Sequence, residues 1–227
     1  MVINMQINKL VIASSILITS LTLPNSALAQ NRGTPGKFDF YVLALSWSPD
    51  YCAKNGSRDP QQCNPGKKYG FVLHGLWPQY QKGYPANCST EKLPPLVKQK
   101  FRGLFPNERL FEHEWEKHGT CSGQKPLEYL NLSKKLKYSL AIPTAYNRPD
   151  KPFRTTVQDL KIAFVSANKN KFTANGVAPY CSDSGRFLQE VFFCYSKDGK
   201  PGICSEEILR RSRRSCGQAN FLVRNVR

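Results

Sequence analysis

Runs of apolar residues along the chain predict strands separated by loops. Residues 39–47 are almost continuously apolar and rich in β-formers, which predicts a central strand ended by a Ser-Pro pair. A shorter strand is predicted at 69–73 and a further strand at 187–195. The polar stretch 52–68, which contains several glycines and prolines, predicts a loop between the first two strands.

Helical spacing predicts four helices among these strands. Apolar residues recur with a helical period at 93–104, 108–118 and 126–140, and Thr156 with Asp159 forms a capping pair before a helix that reaches residue 167. Helices and strands follow one another without a strict strand–helix–strand alternation, and no linker long enough to separate two domains is apparent. This order predicts an α+β fold in a single domain.

Residues 1–29 are predicted to be a signal peptide that is not part of the fold. An apolar run at 10–23 is diluted by hydroxyl side chains and precedes Ala27-Leu28-Ala29, the small-residue pattern of a signal-peptidase site. A membrane-spanning helix needs roughly 20 predominantly apolar residues, so an uncleaved anchor is the less favoured alternative. The mature domain would be 30–227, and we expect it in a secreted, periplasmic or other extracytoplasmic compartment.

Composition and charge narrow the class of protein. Hydrophobic residues make up 40% of the chain, which is enough to bury a core and excludes a wholly disordered protein. The 33 Lys and Arg outnumber the 16 Asp and Glu and give a formal charge of +17. Such an excess favours polyanionic partners, either nucleic acid or anionic lipid.

All eight cysteines lie after residue 29. An even number of cysteines in an exported chain predicts four disulfide bonds, although the residues by themselves leave the pairing open. A structural zinc site is the alternative, and the absence of any C-x-x-C pair disfavours it.

All three histidines lie in two short segments, HGLWP at 74–78 and HEWEKHGTC at 113–121. On a helix, positions 113, 114, 117 and 118 share one face, which would group two imidazoles, a carboxylate and an ammonium. A solvated charged face is the alternative explanation. The signature of zinc proteases needs its second histidine four residues after the first. Here Lys117 occupies that position and would repel a dication, so we predict a site without metal or cofactor.

RNA is the substrate on which such a site could act without a metal. Its 2′-hydroxyl can attack the neighbouring phosphorus if a base removes the hydroxyl proton and an acid protonates the departing 5′-oxygen. Histidine suits both roles because its ordinary pKa lies near neutrality, and a lysine can stabilise the phosphorane. DNA has no 2′-hydroxyl and should resist this route.

Together, the two histidine segments resemble the active-site segments of the ribonuclease T2 family, the transferase-type ribonucleases of secretory, vacuolar and periplasmic compartments. Residues 40–52 and 190–194 add to the resemblance, which is thinnest between about 140 and 185. It implies an α+β fold with a central antiparallel sheet flanked by helices and stapled by disulfides. It also implies metal-independent cleavage of single-stranded RNA through a 2′,3′-cyclic phosphate.

The resemblance implies roles for individual residues. His118 would be the general base and His74 the general acid. Glu114 and Lys117 would stabilise the phosphorane, His113 would bind the phosphate, and Trp77 would stack on a base. The disulfides implied by the family are Cys52–Cys63, Cys88–Cys121, Cys181–Cys216 and Cys194–Cys204.

Several features leave alternatives open. Gln79 and Ser46 depart from the pattern of many relatives and put the base preference in doubt, while Tyr84 could contact a base or lie in a loop. The arginines at 210–214 could track RNA phosphates or form a solvated patch. We expect a monomer, and the competing function is a catalytically silent, cationic RNA-binding or cytotoxic protein on the same scaffold.

Overall fold

A six-stranded sheet forms the centre of the computed structural model, which describes Met1 and residues 33–226. The predicted signal peptide, apart from Met1, lies outside the described residues. The strands are β1 (Phe40–Trp47), β2 (Phe71–Gln79), β3 (Phe153–Thr155), β4 (Val177–Ser182), β5 (Phe187–Tyr195) and β6 (Phe221–Val223). The helices are α1 (Ser48–Asn55), α2 (Pro60–Cys63), α3 (Pro95–Lys100), α4 (Glu108–Lys117), α5 (Pro126–Ser139), α6 (Val157–Ala167) and α7 (Glu206–Ser215).

The sheet is almost entirely antiparallel. Its main path runs β2-β1-β5-β6-β3, with β4 paired to β5, and only the contact of β5 with β6 is parallel. Together with the surrounding helices, this confirms the predicted α+β class with a central antiparallel sheet.

Alternation along β1 creates two different faces of the sheet. Tyr41, Leu43 and Leu45 belong to the larger core, which also contains buried side chains of α4, α5 and α6. Phe40, Val42 and Ala44 belong to a smaller cluster with Ile208 and Leu209 of α7. Because successive side chains of a strand point to opposite faces, α7 covers the face opposite the larger core.

Some element boundaries differ from the sequence prediction. The predicted strand at 69–73 extends as β2 to residue 79, because β1 pairs with it along its whole length, from Trp47 opposite Phe71 to Phe40 opposite Gln79. The helix predicted at 93–104 is only α3, and the chain turns at Gly103, whose φ of +79° suits glycine.

The predicted loop at 52–68 is wrong over residues 52–63, which contain the end of α1 and the short helix α2. The Asp59 side chain caps α2 by accepting the Gln62 amide N–H, and the Cys52–Cys63 disulfide joins the two helices. Local composition predicts a loop here because the helices are short and depend on the cap and the disulfide, not on a helical pattern of apolar residues.

Four disulfide bonds link the pairs that the family resemblance implied: Cys52–Cys63, Cys88–Cys121, Cys181–Cys216 and Cys194–Cys204. Each such bond typically stabilises a fold by about 2–4 kcal/mol. Within the described ranges, no helix is both long and apolar enough to cross a membrane.

Candidate active site

His74 lies in β2, and its ring is held by a residue of another strand of the same sheet, β5. The pairing of β1 with β2 shifts register between Ala44, opposite Gly75, and Leu45, opposite Leu73, so His74 lies at the irregularity itself and has no partner in β1. The ring nitrogen Nδ1 of His74 is hydrogen-bonded to Oε1 of Glu190 in β5. The same carboxylate oxygen accepts the hydroxyl of Ser46 at 2.6 Å. The acceptor at Nδ1 fixes the ring and directs Nε2 toward α4, where it lies 3.7 Å from Oε1 of Glu114.

Helix α4 carries most of the second histidine segment. Asn107 caps its start by accepting the amide N–H of Leu110 at 2.7 Å, and Phe111 and Trp115 bury one side of the helix in the core. That burial leaves positions 113, 114 and 117 on the side toward β2, as the helical spacing predicts.

His118 departs slightly from the predicted helix. It is the residue that caps α4, and its own backbone has left the regular helix with φ −117° and ψ −45°. Its side chain is nevertheless buried at 5% exposure, and the Cys88–Cys121 disulfide holds the turn that follows. The end of the catalytic segment is therefore tied covalently to the loop after β2.

Trp77 joins the two histidines. Its indole N–H donates to Oε2 of Glu114 at 2.5 Å, and its ring centroid lies 4.9 Å from that of His74 and 5.2 Å from that of His118. Gly75 makes this approach possible, because a Cβ there would stand 2.1 Å from Oε2 of Glu114 and 2.2 Å from the indole nitrogen. The structure thus brings residues of both segments around one indole ring.

The Glu114 carboxylate is almost completely buried, with 1% of its surface exposed. Burial raises its pKa to about 7, against the opposing effects of the His74 charge, the Trp77 hydrogen bond and the Lys117 charge. Near neutral pH a substantial fraction of this side chain therefore carries a proton that it can donate.

The half-buried His74 and the buried His118 have pKa values displaced in opposite directions. Burial works to lower the pKa of His74, but the Glu190 hydrogen bond and the charges of Glu190 and Glu114 outweigh it and raise the pKa. Burial and the charges of Lys117 and His74 hold the pKa of His118 well below its ordinary value. Among the described residues nothing accepts a hydrogen bond from Nδ1 of His118. The environment favours protonated His74 and neutral His118.

His113 and Tyr84 stand at the exposed edge of the site. Desolvation and the Lys117 charge lower the pKa of His113. The Tyr84 ring lies 5.7 Å from the His118 ring, and Nζ of Lys117 stands 6.0 Å from the Tyr84 centroid. Tyr84 is 46% exposed, so it forms a half-open wall beside His118.

A groove of about 950 Å³ opens from the histidines toward α1 and α2. Its lining includes Ser46, His74 and His113, together with Arg58 and Arg109. Its volume is ample for a nucleotide. Gln79, by contrast, is buried and donates its amide to the Pro78 carbonyl.

Glu190 is a site residue that sequence reasoning did not select, and Ser46 was considered only in connection with base preference, not as a partner of Glu190. A usable signal was present, since Glu190 is the one charged residue in the strand FLQEVFFCY of β5. In the described part of the chain, no group of three or more His, Cys, Asp or Glu side chains is placed to hold a metal ion.

The chain that carries this site matches a known family over most of its length. The family model "Ribonuclease T2 family" matches residues 38–205, a range that contains both histidine segments, Glu190 and three of the four disulfides. The chain belongs to the ribonuclease T2 family. As a member it is an endoribonuclease by class.

Relatives and solved structures agree with this membership. A ribonuclease of Aeromonas hydrophila is 40% identical over 217 residues, covering 89% of this chain and 93% of that protein. A probable ribonuclease of Haemophilus influenzae is 31% identical over 81% of this chain and 66% of that protein. A crystal structure of a ribonuclease MC1 mutant in complex with 5′-UMP superposes with a TM-score of 0.62 over 81% of this chain and 97% of that one, at 24% identity, and so supports the fold.

Proposed function

We propose that this ribonuclease T2 family member is exported and cleaves single-stranded RNA without a metal, as a monomer, by transphosphorylation through a 2′,3′-cyclic phosphate. The observation that carries its catalytic part is the placement of His74 and His118 against one indole, that of Trp77, with two carboxylates beside His74 and no partner at Nδ1 of His118 among the described residues. Pairs of titratable groups with diverging environments are the pattern of an acid and a base in one site.

The first step assigns one proton transfer to each imidazole. Neutral His118 takes the proton of the ribose 2′-hydroxyl, and the 2′-oxygen bonds to phosphorus. Protonated His74 gives its proton to the 5′-oxygen as the P–O5′ bond breaks, which leaves a 2′,3′-cyclic phosphate and a free 5′-hydroxyl. The environments support both assignments, since His74 has two carboxylates beside it and His118 has no partner at its buried Nδ1 among the described residues.

The remaining α4 residues stabilise the charge that builds up on phosphorus. The Lys117 ammonium supplies a positive charge beside His118. Protonated Glu114 can donate to a phosphorane oxygen, because its pKa of about 7 leaves it partly neutral. The more exposed His113 holds the phosphate at the groove entrance. Trp77 orients Glu114 through its N–H, and base stacking on its half-buried ring stays a prediction.

Export is proposed on two grounds. Four disulfides persist only in an oxidising compartment in most organisms. The sequence of residues 1–29 has the order of regions that a signal peptidase recognises.

The test is incubation of the purified protein with single-stranded RNA and with DNA in EDTA, followed by analysis of the product ends. We expect 2′,3′-cyclic phosphate ends from RNA and intact DNA. His118→Ala and His74→Ala should each lower kcat by at least about 100-fold. RNA binding without cleavage would instead establish the catalytically silent alternative, and loss of activity in EDTA would establish a metal enzyme.

A further inference from the structure

Helix α7 has one buried side and one strongly basic side. Its Ser205 cap accepts the amide N–H of Ile208, and Ile208, Leu209 and Ser212 are buried. The opposite side is exposed and carries Arg210, Arg211, Arg213 and Arg214. Helical spacing places Arg210, Arg211 and Arg214 on one strip together with Glu207, and we call these three residues the arginine strip.

The charge of the arginine strip is largely uncompensated. Among the described residues its one ion pair joins Arg211 to Glu207 at 4.0 Å, and exposed pairs of this kind contribute little to stability. Like charges three or four residues apart on a helix destabilise it slightly. The stability of the fold therefore does not explain this concentration of guanidinium groups, which points to a role in binding.

Helix α7, which carries the arginine strip, contacts the neighbourhood of the active site through its first turn. The amide N–H of Gly83, next to Tyr84, donates to Oε2 of Glu207 at 2.8 Å. The Tyr180 hydroxyl donates to the Ile208 carbonyl at 3.1 Å. The first turn of α7 therefore borders the Tyr84 wall of the catalytic site.

A row of aromatic rings lies between Trp77 of the active site and helix α7. The ring centroids of Tyr180 and Phe192 are 4.3 Å apart, and those of Phe192 and Trp77 are 5.2 Å apart. All three rings are half-buried and pack on the sheet face that α7 covers. The row starts at the indole that touches both catalytic histidines and ends under α7.

We propose that the arginine strip binds the phosphates of RNA nucleotides that lie beyond the scissile bond, on the Trp77 side of the site. The inference rests on the proposed function. Proteins that hold single-stranded nucleic acid combine a basic track with aromatic surfaces. The planar guanidinium of arginine suits phosphate because it can donate two parallel hydrogen bonds. A polymer would thus be held at two places, whereas a dinucleotide would reach only the catalytic residues.

The experiment compares poly(U) with a dinucleoside monophosphate as substrates of the full-length mature protein. In the triple variant Arg210→Gln, Arg211→Gln and Arg214→Gln, the ratio of kcat/KM for poly(U) to that for the dinucleotide should fall. Loss of three phosphate contacts should also reduce the slope of log kcat/KM against log salt by about 2 for a single strand. Between about 50 and 200 mM salt, wild-type activity on poly(U) should drop about 16-fold more than that of the variant.

Two further variants control for charge and for folding. Lys134→Gln, Lys135→Gln and Lys171→Gln remove the same net charge from exposed positions on and after the helices of the larger core and should keep the wild-type slope. The single change Arg211→Gln should lower the slope by about 0.7 even if the triple variant folds poorly.

Three outcomes would overturn the inference. The first is equal slopes for the arginine and lysine variants. The second is an unchanged substrate ratio in the arginine variant. The third is selective loss of binding to phosphatidylglycerol vesicles with an unchanged RNA slope, which would make the strip a lipid-binding surface. Failure of the wild-type protein to cleave the dinucleotide would instead count against the proposed function itself.

Discussion

Replacing Glu190 by Gln should move one limb of the pH–rate profile and leave the other in place. Glutamine keeps an oxygen that can accept from Nδ1 of His74 but removes the negative charge. A hydrogen bond to a charged group contributes about 1.5–3 kcal/mol. The lower value applies because 33% of the His74 side chain is exposed and water screens the pair. A change of 1.4 kcal/mol alters proton affinity about tenfold.

The direction of the shift follows from the proposed role of His74 as acid. Its raised pKa keeps it protonated, and activity is lost as pH rises through that pKa. Loss of the Glu190 charge lowers the pKa, so the alkaline limb of kcat/KM should move down by about one pH unit. The acid limb belongs to His118, whose lowered pKa stems first from burial and then from the Lys117 charge, and it should stay in place.

The assay is kcat/KM for a dinucleoside monophosphate across the pH range, since this parameter reports the groups of the free enzyme. Glu91→Gln, which removes an exposed carboxylate, is the matched control and should leave both limbs unchanged. A shift of the acid limb in Glu190→Gln, or an alkaline limb that moves upward, would refute the assignment of His74 as acid.

Two further predictions concern Trp77 and one disulfide. Trp77→Phe removes the donor that lies 2.5 Å from the buried Glu114 carboxylate, so kcat/KM should fall about 10- to 100-fold with a reduced kcat. A higher KM with unchanged kcat would show instead that Trp77 serves only in base binding. Replacing Cys88 and Cys121 by Ser opens a loop closed over 33 residues and should lower the free energy of unfolding in urea by about 4 kcal/mol. An unchanged unfolding midpoint would contradict that estimate.

Much of the local structure was determined by the sequence itself. Strand β5 occupies the whole of its predicted range, and α4 starts at the predicted residue 108. In both cases the pattern of apolar residues acts within one element, so tertiary contacts were not needed to find them. The same local period placed His113, Glu114 and Lys117 on one side of α4.

Tertiary structure decided which groups meet in the candidate site. Glu190 and His74 are separated by 116 residues, and only the pairing of β1 with both β2 and β5 brings them together. The divergence of the two histidine pKa values depends on burial and on which charges surround each ring. Sequence patterns carry the period of an element but not the partners it meets across the fold. For that reason the family resemblance implied an acid and a base, whereas the packed structure shows that different groups surround the two imidazoles.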